Sequence, residues 1–192
     1  MMSGPPVLIA PIRQFGGMTR LSGVLDDEGR AALSRALADR LITAGEGAGL
    51  RCMIVTADHG VERWASEKGI AAMRDVGTGL NAAVAGAVAS VEGPWIVAHA
   101  DLPFVTAAAL GSIAALADRS AVLVPSLDGG TTIVAGHGSF PFSFGTSSFH
   151  RHLASVPSAT VMPSAALSID VDTPGHLAAL QDLERRSSLT SS

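Results

Sequence analysis

Pro94-Trp95-Ile96-Val97-Ala98-His99-Ala100-Asp101-Leu102-Pro103 runs from an unbroken apolar segment straight into an acidic turn. An apolar run without alternation reads as a strand buried on both faces, the kind found in parallel sheets. Asp101 is then expected at the strand's C-terminal end, and Thr106 caps the alanine-rich helix that follows. The pattern recurs late in the chain. Ala166 to Val171 reads as a strand, and Asp170-Val171-Asp172-Thr173-Pro174 enters a helix with Thr173 as cap and Pro174 at its first position.

Working outward, strands are predicted at Val7–Ile12, Cys52–Thr56, Ile70–Met73, Ala121–Pro125 and Thr131–Ala135. Helices are predicted from Asp26-Asp27-Glu28 to about Ala44, from Asp58 to Gly69, from Leu80 to Val91 behind Thr78, and over Ser147–Ala154. Gly45, Gly47 and Gly49 read as the end of the first helix, and Phe140–Gly145 as an irregular aromatic segment. Alternation at this pace predicts an α/β fold: a single-domain, doubly wound, mostly parallel sheet with an irregular C-terminal elaboration. Residues 1–186 are assigned to that domain, and the small polar residues 187–192 to a disordered tail.

In such sheets ligands bind at the C-terminal strand edge. Carboxylates gathered there, without clustered His or Cys, suit a hard cation such as Mg2+ that completes its shell with water and phosphate oxygens. Each aspartate alone is also an ordinary cap or turn residue; their joint position at strand ends favours a shared metal site.

Composition narrows the classes. The 192 residues are 47 % hydrophobic and 16 % charged, which fits one compact domain. A formal net charge of −4 and few aromatics argue against nucleic acid or an acidic membrane surface as partner. Cys52, the only cysteine, lies in the apolar run Cys52-Met53-Ile54-Val55 and reads as a core residue. With no disulfide, no secretory leader in Met1–Ile12 and no membrane span, a cytoplasmic location is expected.

Several loops can handle phosphate. Arg13-Gln14-Phe15-Gly16-Gly17-Met18-Thr19-Arg20-Leu21 follows the first strand, and its glycines let backbone amides approach an anion, with Thr19, Arg13 and Arg20 as further donors. A flexible glycine loop with a solvated arginine is the plain alternative. Gly79-Leu80-Asn81 opens a helix, where amides and the Asn81 side chain can meet an anion or a base edge; turn formation alone also explains it. Asp128-Gly129-Gly130-Thr131 is a tight turn. Gly145-Thr146-Ser147-Ser148 offers hydroxyls and amides at a helix start, for a second phosphate or simply as a cap. His150 and His152 cannot face one way on a helix, and His59, His99, His137 and His176 show no ligand spacing.

Taken together, Gly16-Gly17-Met18-Thr19-Arg20-Leu21, Gly79-Leu80-Asn81, Ala100-Asp101-Leu102-Pro103, Asp128-Gly129-Gly130-Thr131, Phe140 to Gly145, Ser148-Phe149-His150-Arg151-His152 and Asp170 to Pro174 occur in an order that resembles one family. It is the 2-phospho-L-lactate guanylyltransferase family, called phosphoenolpyruvate guanylyltransferase in bacteria, of coenzyme F-420 biosynthesis. The resemblance implies a nucleotide-diphospho-sugar-transferase-like, Rossmann-like fold. It implies transfer of GMP from GTP to the phosphate of phosphoenolpyruvate or 2-phospho-L-lactate, with release of pyrophosphate. Carried over by motif, Asp101, Asp170 and Asp172 hold Mg2+ and, with Arg20, form the catalytic group. Arg13, Gly16, Gly17, Thr19, Arg20, Gly79, Leu80 and Asn81 bind the nucleotide. Thr131, Gly145, Ser148 and His152 bind the acceptor, a small phosphorylated carboxylic acid. Two positions depart from the family pattern: Met18 stands where many members carry lysine, and Thr132 where asparagine is usual.

The chemistry needs no strong general base. A phosphate monoester has a second pKa of about 6 and is already mostly a dianion at neutral pH. The obstacle is two anions meeting, so cations must screen the charge and align an in-line attack. Rival readings are nucleotidyl transfer to another phosphorylated acceptor (3-phosphoglycerate, a sugar phosphate, molybdopterin) and a non-catalytic nucleotide-binding domain. Oligomeric state stays open, a homodimer included.

Overall fold

The computed structural model describes residues 4–75 and 79–189. Seven strands form one sheet: β1 (Val7–Pro11), β2 (Arg51–Thr56), β3 (Ala71–Arg74), β4 (Pro94–Ala98), β5 (Val122–Pro125), β6 (Thr131–His137) and β7 (Thr160–Val161), in the order β3-β2-β1-β4-β6-β5-β7. The helices are α1 (Asp27–Gly47), α2 (His59–Glu67), α3 (Leu80–Ala89), α4 (Ala107–Ala117), α5 (Ser148–Ser155) and α6 (Pro174–Leu189). Strands β1 to β4 pair in parallel, whereas β6 is antiparallel to both β4 and β5. That reversal matters for the site. It brings Thr131, the first residue of β6, to the same edge as the C-terminal end of β4, where the His99 amide donates to the Thr132 carbonyl at 3.0 Å.

Two-residue periodicity divides β1, β2, β4, β5 and β6 between two cores. Leu8, Ala10, Ile54, Ile96, Ala98 and Ile133 pack with α1, α2 and α4 on one face. Val7, Ile9, Val55, Trp95, Val97 and Val134 pack with α3 and the aromatic segment on the other. A third, smaller cluster joins Leu21, Leu37, Val171, Leu177 and Leu180. Burying such side chains contributes about 1.5–3 kcal/mol each, enough to hold the first loop against the late acidic turn.

Capping follows the sequence. Asp26 accepts from the Gly29 amide at 2.7 Å, Asp58 from Val61 at 2.9 Å, Thr106 from Ala109 at 3.2 Å, and Thr173 from His176 at 3.3 Å. Helix α1, however, continues past Gly45 to Gly47. Gly45 is a packing residue there: a Cβ on it would stand 2.5 Å from Leu8 Cδ2 and 3.0 Å from Cys52 Sγ. The Cys52 thiol is pushed up to about 11 by burial and by Glu46, in keeping with an inert core residue.

Three further expectations change. Ala166–Val171 is not a strand, because Ser164 turns the chain: its carbonyl accepts from Leu167 at 3.1 Å and Ser168 at 2.8 Å. The seventh strand is instead Thr160–Val161, too short to signal itself, paired in parallel with Val122–Leu123. Helix α6 extends through Ser187 to Leu189, into the segment read as a disordered tail. Gly77, Thr78 and residues 190–192 lie outside the described residues. No helix among the described residues is long and apolar enough to cross a membrane.

Candidate active site

A cleft of about 700 Å³ opens at the C-terminal edge of β1, β2 and β4. Arg13, Gly17 and Met18 of the first loop line it, with Gly79 and Leu80 at the start of α3 and Asp101 after β4. Ser34, Thr56 and Asp75, none of which stood out in the sequence, line it as well, as does His99, read there as a histidine without ligand spacing. Asp75 sits just beyond β3 as Asp101 does just beyond β4, so strand-end position was the signal that could have found it.

Arg20 and Asp172 form an ion pair beside the cleft rather than lining it. Thr19 and Arg20 belong to a short 3-10 turn, Thr19–Leu21, whose Leu21 is fully buried in the third cluster. Gly16 also lies outside the lining; its carbonyl accepts from Arg30 Nε at 3.4 Å. The loop is anchored by Phe15, which packs edge-on to Trp64 at 5.3 Å and lies under the Arg35 guanidinium at 5.1 Å.

The acidic turns meet. The Val171 amide donates to the Asp101 carbonyl at 3.1 Å, which sets Asp170 and Asp172 beside Asp101. Asp101 Oδ1 is buried and has no hydrogen-bond partner. Burial raises the Asp101 pKa above the usual carboxylate range, and the charges of Asp170 and Asp172 raise it further, while His99 works the other way. The three carboxylates are thus within electrostatic reach, but they do not converge into a ready ligand set. No group of three His, Cys, Asp or Glu side chains among the described residues is placed to hold a metal ion. Like charges repel, and Arg20 holds Asp172 in its own ion pair.

Across the edge from Asp101 lies a buried polar group. Thr131, Ser148 and His152 are 3 %, 1 % and 0 % exposed. Ser148 Oγ lies 3.2 Å from Thr131 Oγ1, and Thr131 Oγ1 lies 3.0 Å from His152 Nδ1. The Ser143 amide donates to His152 Nε2 at 2.8 Å. His152 was expected to touch the acceptor; both of its ring nitrogens are instead taken by the protein. Burial, then the charges of Arg151 and His99, push its pKa down to about 4.

The segment between Ser143 and Thr146 is clamped from two helices. Arg151 donates to the Ser143 carbonyl and hydroxyl, each at 2.7 Å, and to the Thr146 carbonyl. Asn81 accepts from the Phe144 amide at 2.6 Å and donates to the Phe144 carbonyl at 3.4 Å. Asn81 was expected at the nucleotide; its amide is spent on this peptide, and it does not line the cleft. Gly145 follows with a φ of 121°, a conformation that glycine alone adopts without strain. The α5 start offers fewer amides than expected, since Ser148 donates to the Gly145 carbonyl and Phe149 to that of Gly129.

Comparison with known proteins gives the family and the fold. Residues 6–181 match the family described as "Guanylyl transferase CofC like". The chain is 32% identical over 188 residues to a phosphoenolpyruvate guanylyltransferase of Rubrobacter xylanophilus, covering 90% of this chain and 92% of that protein. It is 33% identical over 178 residues to a 3-phospho-D-glycerate guanylyltransferase of Phenylobacterium zucineum, covering 83% and 82%. Among solved structures, a chain from Desulfovibrio desulfuricans G20, provisionally described as a nucleotide-diphospho-sugar transferase, superposes with a TM-score of 0.79. That match is 14% identical and covers 97% of this chain and 90% of the other.

Proposed function

This chain belongs to the CofC-like guanylyl transferase family, and from that premise we propose that it is an enzyme moving GMP from GTP onto the phosphate of a small phosphorylated carboxylic acid. Phosphoenolpyruvate or 2-phospho-L-lactate is the acceptor, pyrophosphate leaves, and the product feeds coenzyme F-420 biosynthesis. The observation that carries the reading is the pairing, on one sheet edge, of a nucleotide-sized cleft headed by Asp101 with the buried hydroxyl pair of Thr131 and Ser148. The relative that acts on 3-phospho-D-glycerate makes that acid the second reading.

In this reading the apolar lining at Val55, Leu80 and Ala83 covers the nucleoside, while Arg13 and the first-loop amides face the triphosphate. Arginine takes on the charge that a lysine at Met18 would supply. Thr131, Gly145 and Ser148 hold the acceptor's carboxylate and phosphate. The acceptor's phosphate oxygen attacks the α-phosphorus in line, forming one P–O bond as the bond to the bridging oxygen of pyrophosphate breaks. Because that oxygen is already ionised, no side chain has to remove a proton.

The buried, unpartnered Asp101 oxygen would hold a hard cation, and Asp170, within electrostatic reach and not engaged by Arg20 as Asp172 is, would be the nearer choice for a second carboxylate. Mg2+ bound there would supply charge neutralisation for the triphosphate and the departing pyrophosphate. A pyrophosphate-release assay crossing GTP, ATP and CTP with the three acids tests the proposal. Release confined to GTP with one acid supports it. GTP binding without release across the whole panel overturns it in favour of a non-catalytic nucleotide-binding domain.

A further inference from the structure

We propose that His152 is a positioning residue of the acceptor seat, whose fixed Nδ1–H tautomer sets the Thr131–Ser148 hydroxyl pair to present a single O–H donor to an anion. The proposal rests on the acceptor reading given above. It reassigns His152 from a ligand to the group that orients the ligands.

The argument begins with a donor that has no choice. A backbone N–H can only donate, so the Ser143 amide at 2.8 Å makes His152 Nε2 an acceptor and leaves that nitrogen without a proton. The neutral ring then carries its proton on Nδ1, and Nδ1–H donates to Thr131 Oγ1 at 3.0 Å. Ser148 Oγ and Thr131 Oγ1, 3.2 Å apart, share one further bond. Whichever hydroxyl donates to the other, two O–H groups minus that bond leave one donor, and the oxygen facing the ring is confined to accepting from it.

A hydroxyl proton spent neither on the ring nor on the neighbouring hydroxyl suits a carboxylate or phosphate oxygen and disfavours a ligand that must itself donate. The ring cannot easily reverse its role. It is fully buried between Phe140 and Phe144, at 5.5 and 5.1 Å between ring centres. Protonating Nε2 would set two donors against each other at the Ser143 amide, and Arg151 and His99 add like charge nearby. Polar groups buried in this way act as a unit, so altering the ring's hydrogen bonding alters the seat.

Two substitutions separate the ring's two bonds. In His152→Asn the amide N–H2 stands near the Nδ1 position and keeps a donor for Thr131. In His152→Gln the side-chain oxygen reaches towards the Nε2 position and keeps an acceptor for Ser143. Steady-state kinetics with GTP and the best acid are measured for both, with thermal unfolding as a check on folding. His152→Gln is expected to raise the acceptor KM roughly 10- to 100-fold while leaving the GTP KM within about twofold, with His152→Asn the milder of the two. Equal rises in both KM values, or His152→Asn the worse variant, overturn the proposal and leave His152 a support for the backbone alone.

Nitrogen-15 NMR of the wild-type ring provides a readout that needs neither turnover nor a stable variant. A protonated Nδ1 and bare Nε2 at neutral pH are expected; the opposite tautomer or an imidazolium overturns the proposal. Wild-type protein that turns over none of the acids refutes the acceptor reading and takes this proposal with it. Turnover with unsplit KM values refutes this proposal alone.

Discussion

Asp101→Asn replaces one carboxylate oxygen by an NH2 group and removes one charge, and it has opposite consequences with and without a divalent ion. In the metal-free protein the Asp101 carboxylate is buried, one oxygen has no partner, and Asp170 and Asp172 add repulsion. Burial first and repulsion second place its folded-state pKa above the unfolded one. The folded chain therefore binds this proton more tightly than the unfolded chain. Stability declines as pH rises from the unfolded value through the raised one.

Leaving a buried group unsatisfied costs about 1–3 kcal/mol and more when it is charged, so removing the charge while keeping the polar amide is expected to recover about 1–3 kcal/mol, and a chain of this size shifts Tm by about 2–4 °C per kcal/mol. In EDTA at neutral pH, Asp101→Asn is expected to melt roughly 2–12 °C above wild type, with the gap closing towards about pH 4 as the native carboxyl protonates. Added Mg2+ closes or reverses the gap. At a hundred times its Kd a ligand of the native state contributes about 2.7 kcal/mol, and the variant loses most of that gain. Pyrophosphate release falls by about a thousandfold or more, the equivalent of several kcal/mol of charge stabilisation. Differential scanning fluorimetry with EDTA and Mg2+ arms reads the stabilities. A variant less stable than wild type in EDTA, or one stabilised by Mg2+ as much as wild type, refutes the reasoning.

Arg20→Ala should leave Tm nearly unchanged, because its pair with Asp172 is 69 % exposed on the arginine side and such pairs contribute about 0–1 kcal/mol. Turnover should nonetheless drop about tenfold or more as a cation near the triphosphate is lost; unchanged initial rates would dissociate Arg20 from the reaction. Asn81→Ala leaves the Phe144 peptide unheld, and it should raise the acceptor KM by roughly tenfold with little change for GTP. A larger rise for GTP would restore Asn81 to the nucleotide. His152 has a folded-state pKa near 4, below the ordinary histidine value, so its stabilising contribution is complete above about pH 6.5 and is lost as pH falls towards 4. Urea midpoints should show wild type losing more stability than His152→Gln between those limits, and parallel losses would count against the buried neutral ring.

Much of the frame was readable from local chemistry. The apolar run Pro94–Ala98 announces a strand because both of its faces are buried, and it lies in β4 with every residue covered. Asp26, Asp58, Thr106 and Thr173 announce helix starts because capping is settled within a few residues. Signals that depend on a distant partner misled. Gly45 looked like a terminator until Leu8 and Cys52 stood against it, and Ala166–Val171 looked like a strand until Ser164 captured its amides.

The sequence by itself determined most of the strands and helices up to β6, and that Asp101 and a glycine loop would lie at one sheet edge, since periodicity and capping are local properties. Only the tertiary structure decided how those parts divide the labour. The antiparallel turn of β6 carries Thr131 to the edge beside β4. The packing of Leu21 against Val171 and Leu177 draws Arg20 to Asp172. Asn81 and His152, both chemically able to hold a ligand, face protein partners 63 and 9 residues away and hold the backbone instead. Hydrogen-bond partners distant along the chain are chosen by packing, and composition or spacing carries no record of that choice.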